Sequence, residues 1–98
     1  MNRAQAIAGL KQRADVLQGM GAAALYLFGS TARDEASSGS DIDLFIDQAP
    51  GRVLSLLDLV GIKQFLEEEL ETEVDVITRA SLHPLLKADI EQSAVRIF

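Results

Sequence analysis

The sequence predicts an α/β (α+β) fold: a central sheet of three to four strands flanked by about four helices. Three observations predict it. Ala22 to Phe28 is an almost unbroken apolar run, while Asp41 to Asp47 and Glu73 to Thr78 alternate polar and apolar residues. Between these strand-like stretches lie segments whose apolar residues recur at three- and four-residue steps, the period of a helix. Several changes of pattern fall at a glycine or proline: Gly19-Met20-Gly21, Gly29, Pro50-Gly51 and Pro84.

The totals agree with a small globular domain. Ninety-eight residues, 48% hydrophobic and 24% charged, leave room for one core, so residues 1–98 are read as a single domain. There is no cysteine, which excludes disulfides and thiolate chemistry, and one histidine, His83. No apolar run approaches the ~20 residues that span a bilayer, and no signal-peptide core opens the chain, so the expected location is the cytoplasm. The net charge of −6, with basic residues scattered, argues against a long nucleic acid as substrate.

From the N-terminus, Asn2 to Gln18 reads as one helix, capped by Asn2, with Ile7, Leu10, Ala14 and Leu17 forming its apolar stripe. Gly19-Met20-Gly21 ends it. Ala22 to Phe28 follows as a strand buried on both faces. Gly29-Ser30-Thr31-Ala32-Arg33 fits a turn opening a short helix, and Asp34 to Ser40 a polar loop. The strand Asp41 to Asp47 places Asp41, Asp43, Phe45 and Asp47 on one face and Ile42, Leu44 and Ile46 on the other. After Pro50-Gly51, Ser55 with Asp58 forms an approximate capping box for a helix to about Leu70. The run Glu67-Glu68-Glu69 is its solvated face. Glu73 to Thr78 sets Val74 and Val76 against Glu73, Asp75 and Ile77. A last helix runs roughly from Pro84 to Gln92, and Ala94 to Phe98 fits a short closing strand.

Asp41 and Asp43 share a strand face with Cα atoms about 6.6 Å apart. Two carboxylates at that reach can hold divalent cations, and magnesium favours oxygen ligands together with substrate phosphates. Asp75, between two apolar residues, is the candidate third carboxylate. Alternatively, Asp41 is a loop-end cap and Asp43 a solvated strand residue. Gly29 permits close approach of backbone to a ligand and Ser30 adds a hydroxyl; the alternative is a plain tight turn. His83 reads as a helix-end or surface residue. Arg79, just past a strand, is read as a surface charge within reach of a site mouth.

Gly29-Ser30, ten intervening residues and Asp41-Ile42-Asp43 resemble the signature of the DNA polymerase beta-like nucleotidyltransferase superfamily. The stretch LFGSTAR…GSDIDLFID looks like its minimal nucleotidyltransferase (MNT) branch, and the likeness runs from Leu25 to the final helix. The resemblance implies a small nucleotidyltransferase fold with a mixed sheet. It implies that Gly29, Ser30 and Arg33 bind a nucleoside triphosphate, expected to be ATP. Asp41, Asp43 and Asp75 would bind Mg2+, with two ions expected, and Asp75 would help deprotonate the attacking hydroxyl. Asp34 departs from the glycine usual after that arginine and puts a negative charge beside it.

The resemblance further implies an antitoxin paired with a HEPN-domain toxin, transferring AMP to a partner hydroxyl, notably of a tyrosine. The other reading is a binding module that neutralises its partner by contact with an idle site. A nucleotidyltransferase for small molecules usually calls for an added domain.

Overall fold

The computed structural model describes residues 1–33 and 42–98. Its elements in chain order are α1 (Arg3–Lys11), α2 (Ala14–Gly19), β1 (Ala22–Phe28), α3 (Gly29–Ala32), β2 (Ile42–Gln48), α4 (Leu56–Leu70), β3 (Val74–Thr78), α5 (Lys87–Ser93) and β4 (Val95–Arg96), with a 3-10 turn at Arg79–Ser81. The strands form one mixed sheet in the order β3-β2-β1-β4. β1 is antiparallel to both β2 and β4, whereas β2 and β3 are parallel. Parallel neighbours need a long crossover, and α4 provides it.

The alternation along the strands decides which face is buried. Leu25 and Leu27 of β1, Ile42, Leu44 and Ile46 of β2 and Val74 of β3 join Ala6, Leu10, Leu17, Ile62, Leu66 and Leu70 of the helices in one core. The opposite face carries Tyr26, Phe28, Asp43, Phe45, Asp47, Asp75 and Ile77, as the strand registers require. β1 is therefore not uniformly buried, because Tyr26 and Phe28 on this second face keep partial exposure.

Both long helices begin where the capping residues stand. Asn2 accepts from Gln5 N–H at 2.8 Å, and the Gln5 side chain returns to Asn2 N–H at 3.0 Å. Ser55 and Asp58 form the same reciprocal box on α4. The single helix expected from Asn2 to Gln18 is instead two. Arg13 turns back to donate from Nη1 to Gly9 O at 2.7 Å, satisfying one of the last carbonyls of α1 and interrupting the helix there. The last helix starts at Lys87 rather than Pro84. His83 O accepts from Leu86 N–H at 2.9 Å and His83 Nδ1 accepts from Leu85 N–H at 3.2 Å, closing a turn in place of the first helical turn. None of the helices among the described residues is long and apolar enough to cross a membrane.

Candidate active site

The site lies where β1 ends, β2 begins and β3 begins. Gly29 follows β1 with φ +77°, a left-handed conformation that side chains disfavour. Its backbone lies against the next strand: a Cβ added there would overlap Oδ2 of Asp43 and come within 3.3 Å of its Cγ. The glycine is thus required twice, by its dihedral and by the adjacent carboxylate. Phe28 is the register partner of Asp43, which explains why the residue after Phe28 meets that side chain.

Asp43 is in turn the register partner of Asp75 across the parallel β2–β3 pair. Partners on neighbouring strands project from the same face about 4.8 Å apart. The two carboxylates therefore stand side by side on the sheet face away from the core. Asp43 is half-buried, whereas the Asp75 side chain is 61% exposed. Ser30 is half-buried in the first turn of α3, Thr31 and Ala32 are buried, and Arg33 is exposed. The end of α3 is held by Arg3, whose Nε donates to Ala32 O at 3.0 Å.

Gly29, Ser30, Asp43 and Asp75 are brought together by these contacts and registers. Asp41 and Asp34 lie outside the described residues. Among the described residues no group of three or more His, Cys, Asp or Glu is placed to hold a metal. His83 is exposed and serves its turn, as expected of a surface residue.

Two neighbouring arrangements were not anticipated. Lys63 of α4 donates to Val74 O at 2.7 Å and to Glu67 Oε2 at 3.0 Å, and its Nζ is 4.0 Å from Asp75 Oδ1. Glu67 Oε2 also accepts from Val74 N–H at 3.1 Å. The hydrogen bond to Glu67 raises the Lys63 pKa, and that from Lys63, followed by the Val74 N–H, lowers the Glu67 pKa. The i,i+4 spacing of Lys63 and Glu67 was visible in the sequence; that both reach the edge of β3 was not.

The second is Arg79, expected as a surface charge. It instead lies over the sheet, its guanidinium carbon 4.8 Å from the Tyr26 ring centroid and 5.0 Å from that of Phe45. Nε donates to Asp47 Oδ1 at 2.7 Å, Nη2 to Asp47 Oδ2 at 2.9 Å, and Nη1 to Glu91 of α5. These carboxylates, Asp47 first, hold its pKa above the usual arginine range. Tyr26 and Phe45 stack at 4.7 Å beneath it. Arg79 is a structural clamp because the strand pairing supplies two aromatic faces and a bidentate carboxylate at one spot.

Comparison with known proteins agrees with this geometry. The family model for the nucleotidyltransferase domain matches residues 7–97. A protein of Methanocaldococcus jannaschii, named as a candidate protein adenylyltransferase, is 51% identical over 71 residues, covering 72% of this chain and 74% of its own. A solved structure described as a candidate minimal nucleotidyltransferase superposes with a TM-score of 0.81 at 32% identity, over 97% of this chain and 95% of that one. A solved complex of a tri-AMPylated HEPN toxin with an MNT antitoxin from Shewanella oneidensis contains a chain sharing the fold. That match has a TM-score of 0.68 and 18% identity, over 92% of this chain and 69% of that one. A turn that seats Gly29 on Asp43, two carboxylates in register and a family match over nearly the whole length lead to one conclusion: the chain belongs to the nucleotidyltransferase domain family.

Proposed function

We propose that the protein transfers AMP from ATP to a hydroxyl of a HEPN-domain partner, as the antitoxin of a toxin–antitoxin pair. The observation that carries this reading is the Asp43–Asp75 register beside the left-handed Gly29. Similarity to proteins named for protein adenylylation supports the reaction class. The AMPylated HEPN toxin in the Shewanella complex supports the choice of partner.

Two accessible carboxylates side by side fit magnesium, which is commonly held by one or two carboxylates and by substrate phosphates. Asp43 and Asp75 would hold it, with Asp41 as the further candidate ligand. Bound magnesium supplies charge neutralisation and alignment at the reacting phosphate. Gly29, whose missing side chain leaves room for the Asp43 carboxylate, is proposed to contact the triphosphate through its backbone, and Ser30 and Arg33 are proposed as further phosphate contacts. The acceptor oxygen forms a bond to the α-phosphorus, the bond from that phosphorus to the bridging oxygen breaks, and pyrophosphate leaves with the electron pair. Asp75 accepts the proton of the hydroxyl, acting as general base.

The test is transfer of label from α-labelled ATP to a candidate HEPN-domain partner protein. An Asp41→Asn/Asp43→Asn double variant is expected to lose at least about 1,000-fold in labelling while unfolding at a temperature close to wild type. Equal labelling by both proteins refutes the mechanism. No labelling by either, with the toxin still neutralised, establishes the alternative of an antitoxin acting by contact.

A further inference from the structure

β3 is an edge strand whose outer side is half closed. Glu73 O accepts from Ile42 N–H, so Glu73, Asp75 and Ile77 turn their backbone groups toward β2, and Val74, Val76 and Thr78 turn theirs outward. Lys63 and Glu67 occupy both outward groups of Val74. Among the described residues no further hydrogen bond covers the outward N–H and C=O of Val76 or the N–H of Thr78. Unpaired strand edges are templates for pairing with another chain; at this one Val76 is half-buried and Thr78 is 8% exposed.

Beside the open half lies an apolar groove of about 320 Å3 lined by Leu56, Leu59 and Val60 of α4 and by Val76 and Ile77 of β3, with Lys63 and Ser81 at its margins. Of the lining residues Leu56 is 76% exposed and Val60 37%, and Val53 and Leu57, close to Leu56 in the chain, are 84% and 82% exposed. Scattered exposed leucines need no explanation, but exposed Leu56 and Val60 lining an apolar groove beside an unpaired strand edge mark an interaction surface. At the far end of α4 and in the turn before β3, Glu68 and Glu71 are exposed, as is Asp75 of β3.

We propose that this edge docks an extended segment of the HEPN-domain partner, which adds to β3 at Val76–Thr78, places alternate apolar side chains in the groove, and carries lysine or arginine toward the acidic turn. The inference rests on the partner reading above. Charge complementarity favours such a segment over a second copy of this chain, which would bring another net charge of −6 and the same acidic end. The capped Val74 sets where added pairing stops, as charged side chains commonly do on strand edges. Because Asp75 lies on the same strand, a segment docked there runs alongside the proposed general base. Strand addition would then select the partner and bring its acceptor hydroxyl to the site.

The experiment uses the full chain and the HEPN-domain protein that accepts AMP in the labelling test. Leu56→Glu/Leu57→Glu changes two exposed residues in the first turn of a helix, where acidic residues are tolerated, so folding is retained. Binding by calorimetry is expected to weaken about 100-fold, with thermal stabilisation by ATP and magnesium unchanged. In wild type, hydrogen exchange at the Val76 and Thr78 amides is expected to slow when the partner is added. Undiminished binding by the double variant, or unchanged exchange at both amides, overturns the docking inference alone. A wild-type chain that binds no HEPN-domain protein overturns the partner reading and this inference together. A wild-type dimer in light scattering that the double variant splits also overturns it, by assigning the face to a second copy.

Discussion

At the scale of single residues, the site depends on one backbone conformation. Gly29 is the position at which φ is left-handed and the space beyond the missing side chain is filled by a carboxylate. Gly29→Ala cannot keep both the dihedral and the Asp43 rotamer. Placing a residue with a Cβ in this conformation costs about 1 kcal/mol or more, and displacement of Asp43 by a fraction of an ångström disturbs any ligand it holds. The expected outcome is roughly 100-fold slower AMP transfer to the partner with a modest fall in melting temperature. Single-turnover transfer and thermal unfolding measured on one preparation check it. Activity near wild type would show that the turn is only structural.

At the scale of elements, the side chains of α4 finish the edge of β3. The Glu67 carboxylate receives the Lys63 ammonium and the Val74 N–H together. Its folded pKa lies below the ordinary 4.5, so its contribution to stability is complete above about pH 4.5 and is lost as pH falls through the lower folded value. Lys63 has the opposite sign: its raised pKa contributes below 10.5 and is lost as pH rises through the higher folded value. Glu67→Gln should therefore be less stable than wild type at pH 7, and the difference should shrink toward pH 3. Urea unfolding of both proteins across that range measures it; a pH-independent difference would assign the effect to packing. The element boundaries follow the same local logic. Reciprocal caps at Asn2–Gln5 and Ser55–Asp58 start α1 and α4 where the sequence indicates, because a cap needs only neighbours three residues apart. The break at Arg13 could not be read that way, since it depends on which carbonyl a long side chain reaches.

For the whole molecule, Arg79 is the link between the sheet and the C-terminal helix. α5 has no fully buried residue, so its hold on the protein relies on few contacts, among them Glu91 to Arg79. Arg79→Met keeps an apolar stem over Tyr26 and Phe45 but removes both ion pairs and leaves Asp47 without this partner. A loss of about 1–3 kcal/mol is expected, together with faster amide exchange along α5 than along β1 and β2. Denaturant unfolding with residue-resolved exchange tests both parts. Unchanged protection of α5 would show that other contacts hold it.

The sequence by itself determined the alternation of strands and helices, the face of β2 that bears Asp43, and the family signature running from Gly29 toward Asp43. These are local properties: side-chain period and turn chemistry are set by residues a few positions apart. Only the tertiary structure decided that β2 and β3 are parallel with Asp43 opposite Asp75, that Gly29 rests on Asp43, and that Arg79 lies across aromatic rings. It also decided that half of the β3 edge is capped by α4 while the other half stays open beside an apolar groove. Register, strand order and the reach of long side chains depend on contacts between residues far apart in the chain, and one residue of slip would turn Asp75 to the buried face.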